Sequence, residues 1–108
     1  MKERCAFFIG RFQPLHDGHK ALIQTALDEG KPVVVALMDT EKDAGNPHSI
    51  DERRVMFAEA FGERVQVIAI PPVAEVCYGR NVGYRIRRIH LSREIEAITA
   101  TAIREGKG

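Results

Sequence analysis

A chain of 108 residues makes one domain, large enough for a core but with little room for insertions. Its 44% apolar and 29% charged content is that of an ordinary globular protein, and a net charge of +1 gives no global electrostatic case for binding nucleic acid or a membrane surface. The lack of an N-terminal signal pattern and of a long apolar run points to the cytoplasm, and Cys5 and Cys77, both inside apolar runs, read as reduced core residues.

No repeat, low-complexity segment or linker divides the sequence. An apolar strand over about 3–9 comes first, followed by a turn and a helix at about 17–29. In that helix Ala21, Leu22, Ile23, Ala26 and Leu27 form one apolar face; Gly30 ends it and Pro32 follows as a stop signal. The run Pro32-Val33-Val34-Val35-Ala36-Leu37-Met38 predicts a strand buried on both faces, as in parallel sheets. Residues 39–49 form a polar loop. A second helix starts near Asp51, capped by Ser49 or Asp51, and ends at Gly62. A third strand over 64–70 stops at Pro71-Pro72. Residues 73–78 and 84–91 read as two more strands with Gly79 and Gly83 in the turn between them. Residues 92–97 read as loop, and Thr99 or Thr101 caps a short last helix that runs out at Gly106. This order predicts an α/β fold over residues 1–108: a Rossmann-like three-layer α/β/α sandwich with a mostly parallel five-stranded sheet. In such folds ligands sit at the carboxyl ends of the strands, where strand order reverses.

The stretch Ile9-Gly10-Arg11-Phe12-Gln13-Pro14-Leu15-His16-Asp17-Gly18-His19 lies where the first strand gives way to the first helix. Two histidines three residues apart at a helix start stand beside unpaired backbone N–H groups and the positive end of the helix dipole. That combination suits a polyphosphate. Gly18 lets the backbone pass close to a ligand, and each imidazole can donate a hydrogen bond to a phosphate oxygen. Zinc is the competing reading of such a pair, but no third or fourth ligand stands at a convincing spacing, so no metal site is assigned. The other competing reading is a pair that merely caps the helix. Arg80, Arg85, Arg87 and Arg88 make one local basic cluster.

The run from Gly10 to His19 resembles, residue for residue, the GRFQPxHxGH signature of nicotinamide-nucleotide adenylyltransferases. These belong to the wider HxGH nucleotidyltransferases, which include cytidylyltransferases such as the glycerol-3-phosphate enzyme; the present chain looks like a shortened form. The resemblance implies that His16 and His19 hold a nucleoside triphosphate and stabilise charge while a second substrate's phosphate attacks the α-phosphorus and pyrophosphate leaves. It places Ile9, Gly10, Arg11, Phe12 and Gly18 in the nucleotide-binding turn. Gly10 would allow backbone approach to the nucleotide, Arg11 would face the phosphates unless it is a solvated loop charge, and Phe12 reads as packing ahead of base stacking.

A second match, Ile98-Thr99-Ala100-Thr101-Ala102-Ile103-Arg104, is similar to the family's ISxTxxR pattern at the start of a late helix. There Thr99 and Thr101 would cap the helix or touch phosphate, and Arg104 would meet the β- or γ-phosphate as a third catalytic residue. A third, Asn46-Pro47-His48-Ser49-Ile50-Asp51-Glu52-Arg53, resembles the NPF-T-xxER segment of the adenylyltransferases, with Arg53 at the arginine that contacts phosphate or acceptor. Arg54 reads as a surface residue, His48 either stands on the surface or reaches the site from the loop, and Asp39 either orients a magnesium-bound water or forms a turn. Tyr78-Gly79-Arg80-Asn81 stands where the family has a Ser-Gly-Asn-like turn that recognises adenine. The helical segment that helps larger relatives hold the pyridine ring has no counterpart; only Pro71-Pro72-Val73-Ala74 bridges that point, and with no Trp, Tyr78 and Tyr84 are the available ring platforms.

The resemblance implies transfer of AMP from ATP to a small phosphorylated acceptor, nicotinamide mononucleotide first among them. Mg2+ would arrive with the triphosphate. A cytidylyltransferase using CTP on a sugar- or polyol-phosphate is the alternative, although such enzymes usually read Gly-Thr-Phe-Asp where this chain has Gly-Arg-Phe-Gln. An inactive nucleotide-binding regulatory module is a third reading, from another class. The partners expected are thus ATP or CTP and the phosphorylated substrate, with no nucleic acid and no membrane; family habit allows a homo-oligomer.

Overall fold

The structure, a computed structural model, describes residues 4–79 and 85–89. Three parallel strands alternate with two helices: β1 Ala6–Gly10, α1 Asp17–Asp28, β2 Val33–Met38, α2 Ile50–Phe61 and β3 Val65–Ile70, with a 3-10 turn, Gly62–Arg64, before β3. The strands lie in the order β1-β2-β3, with Ala6 beside Val33 and Val33 beside Val65, so β2 is central. This is the parallel sheet with alternating helices of a Rossmann-like α/β fold.

The in-register ladder stacks equivalent positions on one face. Ala6 and Phe8 of β1, Val33, Val35 and Leu37 of β2, and Val65 and Val67 of β3 all join one core. Ile23, Ala26 and Leu27 of α1 and Ile50, Met56, Phe57 and Phe61 of α2 pack into the same core. Both crossovers step one strand over in the same sense, and right-handedness then sets both helices on one side of the sheet. On the other side of β1, Phe7 and Ile9 remain 53% and 37% exposed.

Local chemistry explains the helix limits. α2 starts at Ser49, whose side chain accepts from the Glu52 N–H while the Glu52 carboxylate accepts from the Ser49 N–H. Gly30 after α1 and Gly62 after α2 take positive φ, +79° and +60°, where a Cβ would strain the backbone. No helix among the described residues is long and apolar enough to cross a membrane.

Three expectations are corrected. Residues 73–78 carry no strand, and 85–89 none either, so the described sheet has three strands where five were expected. Pro71 and Pro72 lack the N–H groups a ladder needs, and beyond them Val76 and Tyr78 stand 59% and 62% exposed. A short apolar run there resembled a strand without having a partner to pair with. Cys5 and Cys77 are free, as expected, but exposed and outside the core: Cys5 precedes β1, and Cys77 lies in the segment that leaves the sheet. The basic cluster is partly neutralised, because the Arg87 guanidinium donates two 2.7 Å bonds to the Glu29 carboxylate at the end of α1. The expected turn at 80–83, the loop at 92–97 and the last helix with Thr99, Thr101 and Arg104 lie outside the described residues.

Candidate active site

The turn after β1 is built around an aromatic wedge. Phe12 takes φ +50° and turns its ring inward, 8% exposed, edge-on to His19 at 4.7 Å and to Phe57 at 5.1 Å. A Cβ on Gly10 would stand 3.0 Å from that ring. Glycine at position 10 therefore makes room for Phe12, a packing reason beside the ligand-approach reason that the family pattern implies. The Gln13–Pro14 bond is cis.

His16 and His19 then cap α1 reciprocally. The His16 Nδ1 accepts from the Gly18 and His19 N–H groups at 3.1 and 3.3 Å, and the His19 Nδ1 accepts from the His16 N–H at 3.3 Å. The rings stack at 3.6 Å with an 18° tilt. A nitrogen that accepts cannot carry the proton, so each neutral ring bears its N–H on Nε2. Burial, and next the neighbouring His16, push the His19 pKa down to about 4, against a pull upward from the Pro14 carbonyl. Burial also lowers His16, partly offset by Asp17. At neutral pH the start of α1 thus presents two uncharged imidazoles, with the helix dipole behind them.

The loop after β2 is tied to this turn from both sides. The Gln13 side chain, 1% exposed, donates from Nε2 to the His48 carbonyl at 2.9 Å and accepts at Oε1 from the His48 N–H at 2.8 Å. From α2, Arg53 reaches back, 0% exposed: Nη1 donates to the carbonyls of Arg11 at 2.7 Å and Met38 at 2.9 Å, and Nε to that of Ser49 at 3.2 Å. Burial disfavours its charge, and the Asp39 carboxylate supports it. The Arg53 Nη2 is buried with no partner. The guanidinium expected to meet phosphate or acceptor is thus committed mainly to main-chain carbonyls.

The remaining expected residues sit around this frame. Arg11 is exposed, its Nη1 3.3 Å from the Asn46 Oδ1, and Ile9 and Gly10 end β1 just before it. Asp39 is exposed at the carboxyl end of β2, its N–H bonded to the Ile70 carbonyl. Gly18 is buried in the first turn of α1. Tyr78 and Gly79 are exposed on the segment beyond β3. Among the described residues no group of three His, Cys, Asp or Glu is arranged to hold a metal ion.

Sequence reasoning missed the roles of Gln13 and Asn46. Only the position of Gln13 inside the motif signalled it.

The pattern described as "Cytidylyltransferase-like" matches residues 7–103. A nicotinamide-nucleotide adenylyltransferase of Thermoplasma acidophilum is 31% identical over 78 residues, covering 69% of this chain and 44% of that protein. One of Methanolobus tindarius is 37% identical over 71 residues, 63% of this chain and 41% of its own length. A nicotinamide/nicotinic acid mononucleotide adenylyltransferase of Acinetobacter baylyi is 39% identical over 61 residues, 55% of this chain and 32% of its own. The matches cover less than half the length of these relatives. With the family pattern running over residues 7–103, almost its full length, the chain belongs to the cytidylyltransferase-like family.

Proposed function

We propose that this protein is a nucleotidyltransferase that moves AMP from ATP to a small phosphorylated acceptor, with nicotinamide mononucleotide the leading acceptor and NAD and pyrophosphate the products. The observation that carries this reading is the stacked His16–His19 pair at a helix start, with both Nδ1 atoms occupied by the cap, so that donation to a ligand falls to the Nε2–H edges. An acceptor phosphate oxygen forms the new bond to the α-phosphorus as the bond to the bridging α–β oxygen breaks. The electron pair of that bond leaves with pyrophosphate. His16 and His19 donate to triphosphate oxygens as negative charge shifts toward the leaving group, and no covalent enzyme intermediate is needed. Catalysis is positioning plus charge stabilisation by donors already held in place.

Arg11 serves the phosphates from the exposed rim, Ile9, Gly10, Phe12 and Gly18 shape the turn beneath them, Asp39 faces the acceptor side, and the buried Arg53 braces that side from within through the Arg11 and Met38 carbonyls. Thr99, Thr101 and Arg104 complete the triphosphate site from a last helix, and the backbone at Tyr78 and Gly79 meets the base. Together these would make a single three-layer α/β/α domain working in the cytoplasm, as a monomer or a homo-oligomer. A lone carboxylate, Asp39, is a poor cage for Mg2+ but a fitting partner for an ion that triphosphate oxygens already hold. When bound, Mg2+ neutralises phosphate charge.

Thermal unfolding with magnesium and ATP, CTP, GTP or UTP tests the reading in the wild type and His19→Ala. A ligand at a hundred times its Kd adds about 2.7 kcal/mol, and each kcal/mol moves the midpoint by roughly 4–8 °C in a domain of this size. ATP should stabilise the wild type and do so less in the variant. Pyrophosphate release with nicotinamide mononucleotide should fall about a hundredfold in His19→Ala. Stabilisation by CTP alone would transfer the assignment to cytidylyl transfer, and no shift with any nucleotide would refute the reading.

A further inference from the structure

We propose that Gln13 is a positioning residue that sets the 39–49 loop in register with the His16–His19 pair. The inference rests on the reading of that pair as the triphosphate site and adds a residue to which no role has been given.

Gln13 is buried at 1% exposure, three residues before His16, and spends its amide on the backbone of His48 through a donated and an accepted bond of 2.9 and 2.8 Å. A primary amide satisfies one carbonyl and one N–H of the same residue as a neighbouring strand would, and few side chains can do so. His48 directly precedes Ser49, the cap of α2. The clamp therefore fixes the entry to α2, and with it Arg53, whose Nη1 returns to the Arg11 carbonyl two residues before Gln13. The turn carrying the histidines and the loop carrying Asp39, Asn46 and His48 are closed into one ring through Gln13 and Arg53. The Arg11–Asn46 contact lies on the exposed side of that ring. Without the amide, the His48 N–H and carbonyl lose their partner, and the loop can slide relative to the first turn of α1.

Two variants separate this role from simple space filling. Gln13→Met keeps the length and removes both bonds. Gln13→Glu keeps the shape, but its carboxylate cannot donate to the His48 carbonyl, whereas the protonated acid can. Burial raises a carboxyl pKa, so acidification should restore the clamp in Gln13→Glu and leave Gln13→Met unchanged. Two readouts are used: the ring proton and nitrogen NMR signals of His16 and His19 without ligand, and the Kd for Mg-ATP at pH 8.5 and pH 6. Each value is taken relative to wild type at the same pH, so that titration of His16, His19, His48, Asp39 and Glu52 divides out.

In Gln13→Met the histidine signals should move, and the Mg-ATP Kd should rise about tenfold at both pH values, the scale of one or two neutral hydrogen bonds. Gln13→Glu should match it at pH 8.5 and return to within about twofold of wild type at pH 6. Unmoved histidine signals in Gln13→Met, or a Gln13→Glu defect that ignores pH, would overturn the proposal. If wild type itself does not bind Mg-ATP, the proposed function fails, and the ring signals alone decide the role of Gln13.

Discussion

Acidification from pH 7.5 to 5.5 should destabilise this protein through its histidine cap. In the folded chain both Nδ1 atoms accept backbone hydrogen bonds, so a proton placed there breaks the first turn of α1. Burial and the neighbouring His16 hold the His19 pKa near 4, against 6.5 in the unfolded chain. The folded pKa lies below the unfolded one, so the unfolded state binds more protons between these values and stability falls as pH falls. The contribution is complete above pH 6.5 and is lost progressively down to pH 4. Over the interval from 7.5 to 5.5, one such group supplies about 1.3 kcal/mol at most, and because His19 keeps part of its surface in water, about 1 kcal/mol is the expected loss. His16 shifts in the same direction and adds to it. Glu29 and Glu52, both held near 2 by their partners, leave this window clear. Urea unfolding at pH 7.5, 6.5 and 5.5 measures the slope, with His19→Asn as the control, since its amide oxygen can still accept from the His16 N–H but cannot titrate. The wild type should lose about 1 kcal/mol more than His19→Asn over the interval. Equal losses in both proteins, or a gain in stability on acidification, would refute the account of the cap.

Phe57→Ala should cost roughly 3–5 kcal/mol, because Phe57 is 1% exposed and its ring packs between Phe12 and Phe61. In a domain of ordinary stability that loss leaves much of the chain unfolded at 37 °C, as far-UV circular dichroism against temperature would record. Gly10→Ala should destabilise by about 1–3 kcal/mol, since its Cβ meets the Phe12 ring at 3.0 Å and that ring is wedged against His19 and Phe57. A urea midpoint equal to wild type in Gly10→Ala would show that Phe12 can move aside. Gly62→Ala should cost about 1 kcal/mol by thermal unfolding, since φ there is +60° and nothing lies within 4 Å of the new methyl to compensate.

The sequence by itself determined the elements whose causes are local. The apolar face of α1, the valine run of β2, the Ser49 cap of α2 and the stops at Gly30 and Gly62 depend on neighbours a few residues apart, and those elements lie within a few residues of their expected places. The motif at 10–19 was legible for the same reason, being one continuous stretch with a recognisable pattern. Tertiary structure decided what depends on distant partners. Residues 73–78 have the composition of a strand, but a strand needs a ladder, and that segment leaves the sheet at two prolines. By resemblance Arg53 is the arginine that contacts phosphate or acceptor, whereas carbonyls from positions 11, 38 and 49 converge on it only once β1, β2 and α2 are packed together. Gln13 and His48 are 35 residues apart, and no periodicity or spacing announces that one amide will close on the other's backbone. Which groups meet a buried polar side chain is settled by three-dimensional packing, because each must find a partner wherever the fold brings one within reach.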